Sequence, residues 1–201
     1  MNREALRLIA ITDEPGESVE TVLAWADAVV RGGATMVQLR AKLLGSGPLL
    51  TLARALVSEL PVPLIVNDRV DVAILAGAAG VHLGTDDLPV DRVRALTPNG
   101  FIIGASVGGD DELEGARGAD YVGVGPVFAT ASKADAGTAL GASEAARLIK
   151  ASGLPGAAIG GITPLNAREV IEAGADGIAV LSAVSGNPRS AARALRSAIG
   201  K

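Results

Sequence analysis

Short apolar runs of three or four residues recur along the chain, separated by longer stretches in which apolar positions return at helical spacing. Four of the runs share one grammar: Gly33-Ala34-Thr35-Met36-Val37-Gln38-Leu39, Gly77-Ala78-Ala79-Gly80-Val81-His82-Leu83, Gly118-Ala119-Asp120-Tyr121-Val122-Gly123-Val124 and Gly174-Ala175-Asp176-Gly177-Ile178-Ala179-Val180. Each is Gly-Ala, a small or polar step, then an apolar run. Glycine is favoured just past a helix end, where the backbone turns left-handed, so each copy reads as a helix stop followed by a strand start. The copies lie about two strand–helix units apart, and the missing strands appear midway, at residues 8–11, 64–66, 101–104 and 157–160. Helical periodicity fills the gaps at 19–30, 49–60, 70–75, 113–116, 142–151 and 166–172.

Eight strands alternating with helices predict an α/β fold, a (β/α)8 TIM barrel. The alternative, an open doubly wound sheet, lacks a Gly-x-Gly-x-x-Gly opening a helix after the first strand. With 201 residues, the chain is expected to form a single domain over 1–201. Hydrophobic residues make up 49% of the sequence but aromatic ones only 2%, so the core must be built from Ala, Val, Leu and Ile. A net charge of −4 with no basic arm argues against nucleic acid. The absence of cysteine rules out disulfides, thiolate metal sites and thiol nucleophiles. No signal-like start and no membrane-length apolar run is visible, so no membrane partner is expected and the location should be cytoplasmic. Oligomeric state is left open.

In such barrels the chemistry sits at the carboxyl ends of the strands. After the second strand, Gln38, Arg40 and Lys42 fall on alternate positions and so on one face. A solvated surface strand and a buried anion-binding rank both give this pattern, and a buried rank needs an anionic ligand or acidic partners. Asn67-Asp68-Arg69 follows the third strand and Gly84-Thr85-Asp86-Asp87 the fourth. Asp68 and Asp87 read either as helix caps or, opposite Arg40 and Lys42, as a Mg2+ site completed by phosphate oxygens and water. Asp86 is the expected solvated neighbour. Ala105-Ser106 follows the fifth strand. After the sixth comes a long polar stretch from Thr130 to Lys133, which is either a functional loop or a solvated turn. Gly160-Gly161 and Leu181-Ser182 follow strands seven and eight, where this fold usually binds phosphate with backbone amides and a helix N-terminus. Two anion sites, one of them with Mg2+, point to a transferase joining two phosphorylated substrates.

The runs 37–42, 67–71, 81–89, 123–133 and 158–162, in that order, resemble the thiamine phosphate synthase family over nearly the whole chain. The resemblance implies condensation of 4-amino-2-methyl-5-(diphosphooxymethyl)pyrimidine with a thiazole phosphate, giving thiamine phosphate and pyrophosphate. It implies that the bond to pyrophosphate breaks early and that the thiazole nitrogen captures the pyrimidine-methyl cation. By match to the family motifs, Asp68 and Asp87 would hold Mg2+, and Arg40, Lys42, Asn67 and Lys133 would bind pyrophosphate. Gln38 and Ser106 would contact the pyrimidine, with Leu39 and Ala41 in the same substrate-binding run. Thr130, Ala131, Ser132, Gly161, Leu181 and Ser182 would hold the thiazole phosphate. Among these residues, Arg40, Lys42, Ser106 and Lys133 are the catalytic candidates.

Three departures stand out: Thr85 where the family often has Gln, Ala129 where it has Pro, and Gly108 where its Ser-x-His has His. The last bears on the related thiazole tautomerase, whose proton-transfer His lies there. The sole histidine, His82, sits within the fourth strand and reads as structural, and one histidine cannot supply a metal-dependent epimerase. A catalytically silent phosphate-binding relative is the alternative from a different functional class.

Overall fold

The computed structural model describes residues 1–14, 16, 18–130 and 138–200. Eight parallel strands close in sequence order: β1 (Leu8–Ile11), β2 (Met36–Leu39), β3 (Leu64–Asn67), β4 (Gly80–Leu83), β5 (Ile102–Val107), β6 (Tyr121–Val124), β7 (Gly156–Ile159) and β8 (Gly177–Val180), with β8 pairing back onto β1. Around them run α1 (Val19–Gly32), α2 (Ser46–Glu59), α3 (Val70–Ala76), α4 (Val90–Leu96), α5 (Ala142–Ser152), α6 (Ala167–Ala173) and α7 (Pro188–Ala198). The expected (β/α)8 TIM barrel is therefore the observed fold.

The recurring Gly-Ala does what its grammar implied. Gly33 and Gly77 sit at the ends of α1 and α3 with φ of 109° and 70°, a left-handed conformation that glycine adopts without a Cβ clash. Two apolar layers result. The strand faces turned outward pack Val37, Leu39, Val66, Val81, Ile103, Val122 and Val124 against the helices. The faces turned inward pack Ile9, Met36, Ile65, Tyr121 and Ala179 inside the barrel.

Some expectations fail. Residues 113–116 form no α-helix; a 3-10 turn at Asp110–Glu112 and further turns connect β5 to β6. The apolar content there is too sparse and too interrupted by Gly115 and Gly118 to sustain helical turns. Strand β5 is longer than its expected apolar run and takes in Ala105 and Ser106, because small residues near its end still pair with β6.

Candidate active site

Strand β2 ends at Leu39, so Arg40 and Lys42 stand in the loop after it rather than on the strand. They nevertheless line one cavity of about 200 Å3 together with Gln38, Asn67, Asp68, Asp87 and Ser106. The backbone of Arg40 is fastened by Thr12, whose buried hydroxyl donates to the Arg40 carbonyl (2.6 Å) and accepts from its N–H (2.8 Å). The Arg40 side chain is 13% exposed and its Nη1 lies 3.0 Å from Glu14 Oε1. Lys42 Nζ lies 3.6 Å from Asp68 Oδ2. Gln38 is buried and donates from Nε2 to Asn67 Oδ1 at 2.7 Å. The surface-strand reading fails for Arg40 and Gln38, which are withdrawn from solvent, while Lys42 stays exposed at the cavity mouth; each cation is paired with a carboxylate.

Leu39 and Ala41 depart from their expected role. The alternation that turns Gln38 inward buries both of their side chains in the helix–strand layer, so neither reaches the cavity by its side chain.

Neither Asp68 nor Asp87 is a helix cap. The residue preceding α3 is Arg69 and that preceding α4 is Pro89, and neither helix start has a side-chain cap bond. Asp68 holds a left-handed φ of 62°, uncommon away from glycine, and its N–H donates to the His82 carbonyl (2.9 Å). Asp87 Oδ2 accepts from the Gly84 N–H at 2.6 Å. Burial, then the adjoining Asp87 carboxyl, push Asp68 up to about 6, with Lys42 pulling the other way. A carboxylate whose proton affinity is raised by burial and by a second carboxyl beside it is an arrangement a divalent cation relieves. Among the described residues no group of three or more His, Cys, Asp or Glu could hold a metal. An ion here would need oxygens from substrate and water, as Mg2+ prefers. The donor set fits. Asp86 is exposed, as expected.

Behind the carboxylates, His82 bridges two hydroxyl groups, with Nδ1 3.0 Å from Tyr121 Oη and Nε2 3.1 Å from Ser106 Oγ. Tyr121 is fully buried, which pushes its phenol well above the usual range. A Cβ at Gly104 would lie 2.3 Å from the Tyr121 ring and 2.5 Å from His82 Nδ1, so that glycine makes room for the pair. The geometry lets His82 fix the rotamer of Ser106 at the cavity wall.

A second cavity of about 550 Å3 adjoins the first. Thr130, Gly160, Gly161, Leu181 and Ser182 line it, while Thr85, Ser106, Gly123, Ile159, Ala179 and Leu181 line both. Gly160 and Gly161 take φ of 101° and 63°. Helix α6 does not begin until Ala167, so the expected helix N-terminus is not at the glycine pair; the 3-10 turn Ser182–Val184 is the helical start bordering this cavity. Ala131, Ser132 and Lys133 lie outside the described residues.

Gly108 borders the same cavity, and its N–H is taken by the Glu112 carboxylate. Sequence reasoning missed Thr12, Glu14, Tyr121 and Glu112. Only Thr12 left a signal, as a polar residue directly after an all-apolar strand.

Residues 8–184 match the sequence model of a family described as thiamine monophosphate synthase. The chain is 47% identical to the thiamine-phosphate synthase of Methanoculleus marisnigri, over 96% of this chain and 94% of that one. It is 44% identical to that of Xanthobacter autotrophicus, over 96% and 95%. Among solved structures, the thiamine phosphate pyrophosphorylase of Pyrococcus furiosus superimposes with a TM-score of 0.85 at 36% identity, covering 98% of this chain and 96% of the other. A 3-hexulose-6-phosphate synthase, at 20% identity and a TM-score of 0.72, shares the fold alone.

Proposed function

The chain belongs to the thiamine monophosphate synthase family, and on that premise we propose how the two adjoining cavities divide its reaction. The activity is that of a thiamine-phosphate synthase, a transferase of thiamine biosynthesis acting on small pyrimidine and thiazole phosphates. No helix among the described residues is long and apolar enough to cross a membrane, and a cytoplasmic location belongs to the same reading.

The smaller cavity takes the pyrimidine diphosphate. Gln38 and Ser106 orient the ring, and Arg40, Lys42, Asn67 and Lys133 receive the pyrophosphate as it departs. Asp68 and Asp87 would hold Mg2+, which neutralises charge developing on the leaving group. The larger cavity takes the thiazole phosphate against Thr130, Ala131, Ser132, Gly161, Leu181 and Ser182. The carbon–oxygen bond to pyrophosphate breaks, and the thiazole nitrogen then supplies the electron pair for the new carbon–nitrogen bond. No general base is required, so catalysis rests on positioning and on charge placed where the leaving group develops it.

The observation that carries this reading is the shared wall. Thr85, Ser106, Gly123, Ile159, Ala179 and Leu181 belong to both cavities, so two bound substrates would meet across one wall, while Arg40, Lys42, Asp68 and Asp87 line the smaller cavity alone. Mixing both substrates with Mg2+ should yield thiamine phosphate and pyrophosphate; folded protein that yields neither refutes the reading.

A pH dependence follows from Asp68. Metal binding needs its ionised form, and the carboxyl is raised to about 6. Mg2+ affinity should therefore be flat above that pH and fall about tenfold per unit below it. Calorimetric Mg2+ titrations across pH 5 to 8 check this, and a flat profile throughout would remove Asp68 from the metal site.

A further inference from the structure

Each cation of the rank carries its own carboxylate, but the two carboxylates differ in what else they can do. Asp68, beside Lys42, has Asp87 as a neighbour and so a metal to turn to. Glu14, beside Arg40, is engaged instead by the guanidinium and by two loop amides.

Glu14 is placed with care. It stands in the loop after β1 at a φ of 42°, a left-handed conformation that side chains rarely adopt. Its Oε1 accepts from Arg40 Nη1 (3.0 Å) and from the Lys42 N–H (3.1 Å), and its Oε2 accepts from the Leu43 N–H (3.1 Å). A single carboxylate therefore imitates, at the guanidinium and at the following loop amides, the contacts an anionic ligand would make. Arg40 Nε is buried without a hydrogen-bond partner, so Glu14 does not saturate the guanidinium, and Arg40 lines the smaller cavity, where a second anion meets it.

We propose that Glu14 is a positioning residue that holds Arg40 in the anion rank and competes with pyrophosphate for it, so that the product is released rather than trapped. The inference rests on the assignment of this cavity to pyrophosphate. Before substrate arrives, Glu14 keeps the guanidinium ordered and offsets its charge. With pyrophosphate bound, Arg40 is shared between two anions, and the Glu14 charge weakens the complex.

The sign of the effect separates this role from a merely structural one. If Glu14 only ordered the loop, its removal would weaken pyrophosphate binding. Competition predicts the reverse. In Glu14→Gln, calorimetric titration with pyrophosphate and Mg2+ should give about tenfold tighter binding, the scale of one charge removed at a half-buried distance. Pyrophosphate should become a stronger product inhibitor by the same factor. Glu14→Ala should shift in the same direction, because the Lys42 and Leu43 amides are exposed and water can replace the lost acceptor. Thr12→Val, which loosens the Arg40 backbone and leaves Glu14 charged, should weaken binding instead. Unchanged or weaker binding in both Glu14 variants overturns the competition. Failure of the unaltered protein to bind Mg2+ and pyrophosphate at all would instead remove the anion assignment beneath it.

Discussion

Asp87→Asn should lower Mg2+-dependent turnover by about 10²- to 10³-fold, the scale on which removal of one preorganised charge-stabilising group acts, while leaving the protein folded. The Asp87 carboxylate is offered two employments. Structurally it accepts one hydrogen bond, from the Gly84 amide, across the short turn that follows β4. Electrostatically it faces Asp68, whose proton affinity it raises. The asparagine variant retains an oxygen for Gly84 and discards the charge. Asp87→Ala discards both, at a further cost of about 1 kcal/mol for the lost bond, or roughly 2–4 °C in melting temperature for a chain of this size. Asn and Ala should therefore resemble each other in turnover and differ in stability. The Asp68 carboxyl should also return toward its usual range in both, since its like-charged neighbour is gone. Turnover in Asp87→Asn within a few-fold of the parent would take Asp87 out of the metal site.

Much of this site was legible before any coordinates, and the reason is periodicity. The repeated Gly-Ala start marks three helix stops and, at Gly118, the end of a run of turns, and a strand follows each at the same offset, so the eight strand ends could be counted off and the polar residues there read as one constellation. Arg40, Lys42, Asn67, Asp68, Asp87 and Ser106 do line one cavity. What periodicity cannot supply is the partner of each charge. Glu14 and Arg40 lie on neighbouring strands' loops, and nothing in the spacing says which nearby acid in the loop after β1 reaches across. The cap reading of Asp68 and Asp87 failed for a related reason, because helix propensity identifies a good cap residue but not where its φ and its neighbours send the carboxylate. Leu39 and Ala41 illustrate the opposite limit. They belong to the most specific motif of the chain, yet their side chains serve the core, since a motif run on a strand alternates between two environments. The α4 and α7 helices left little apolar signal, with two buried residues named in each, and were not located in advance.

Gly161→Ala should raise the KM for the thiazole phosphate by about 10²-fold, the cost of an ångström-scale misplacement at a reacting pair, and leave pyrophosphate binding unchanged. Gly161 holds φ of 63°, where an alanine costs about 1–2 kcal/mol. Its added Cβ would also lie 2.7 Å from the Ala129 carbonyl oxygen and 2.8 Å from Phe128 Cβ, so the loop after β6 or the loop after β7 must move. Both loops border the larger cavity. The Gly161 segment has little freedom to absorb the shift, because its carbonyl accepts from Asn166 Nδ2 (3.0 Å) and Asn166 Oδ1 in turn accepts from the Thr163 N–H (2.7 Å). The displacement is thus directed into the cavity wall. Neither Gly161 nor Asn166 borders the smaller cavity, where the Arg40, Lys42, Asp68 and Asp87 side chains converge. The two measurements should therefore come apart in this variant: thiazole KM by steady-state kinetics and Mg2+-pyrophosphate affinity by calorimetry. Asp87→Asn should affect them in the opposite pattern, weakening the Mg2+-pyrophosphate complex and sparing thiazole affinity. If both quantities fall together in Gly161→Ala, the adjoining cavities act as one site, and the division of substrates between them is wrong.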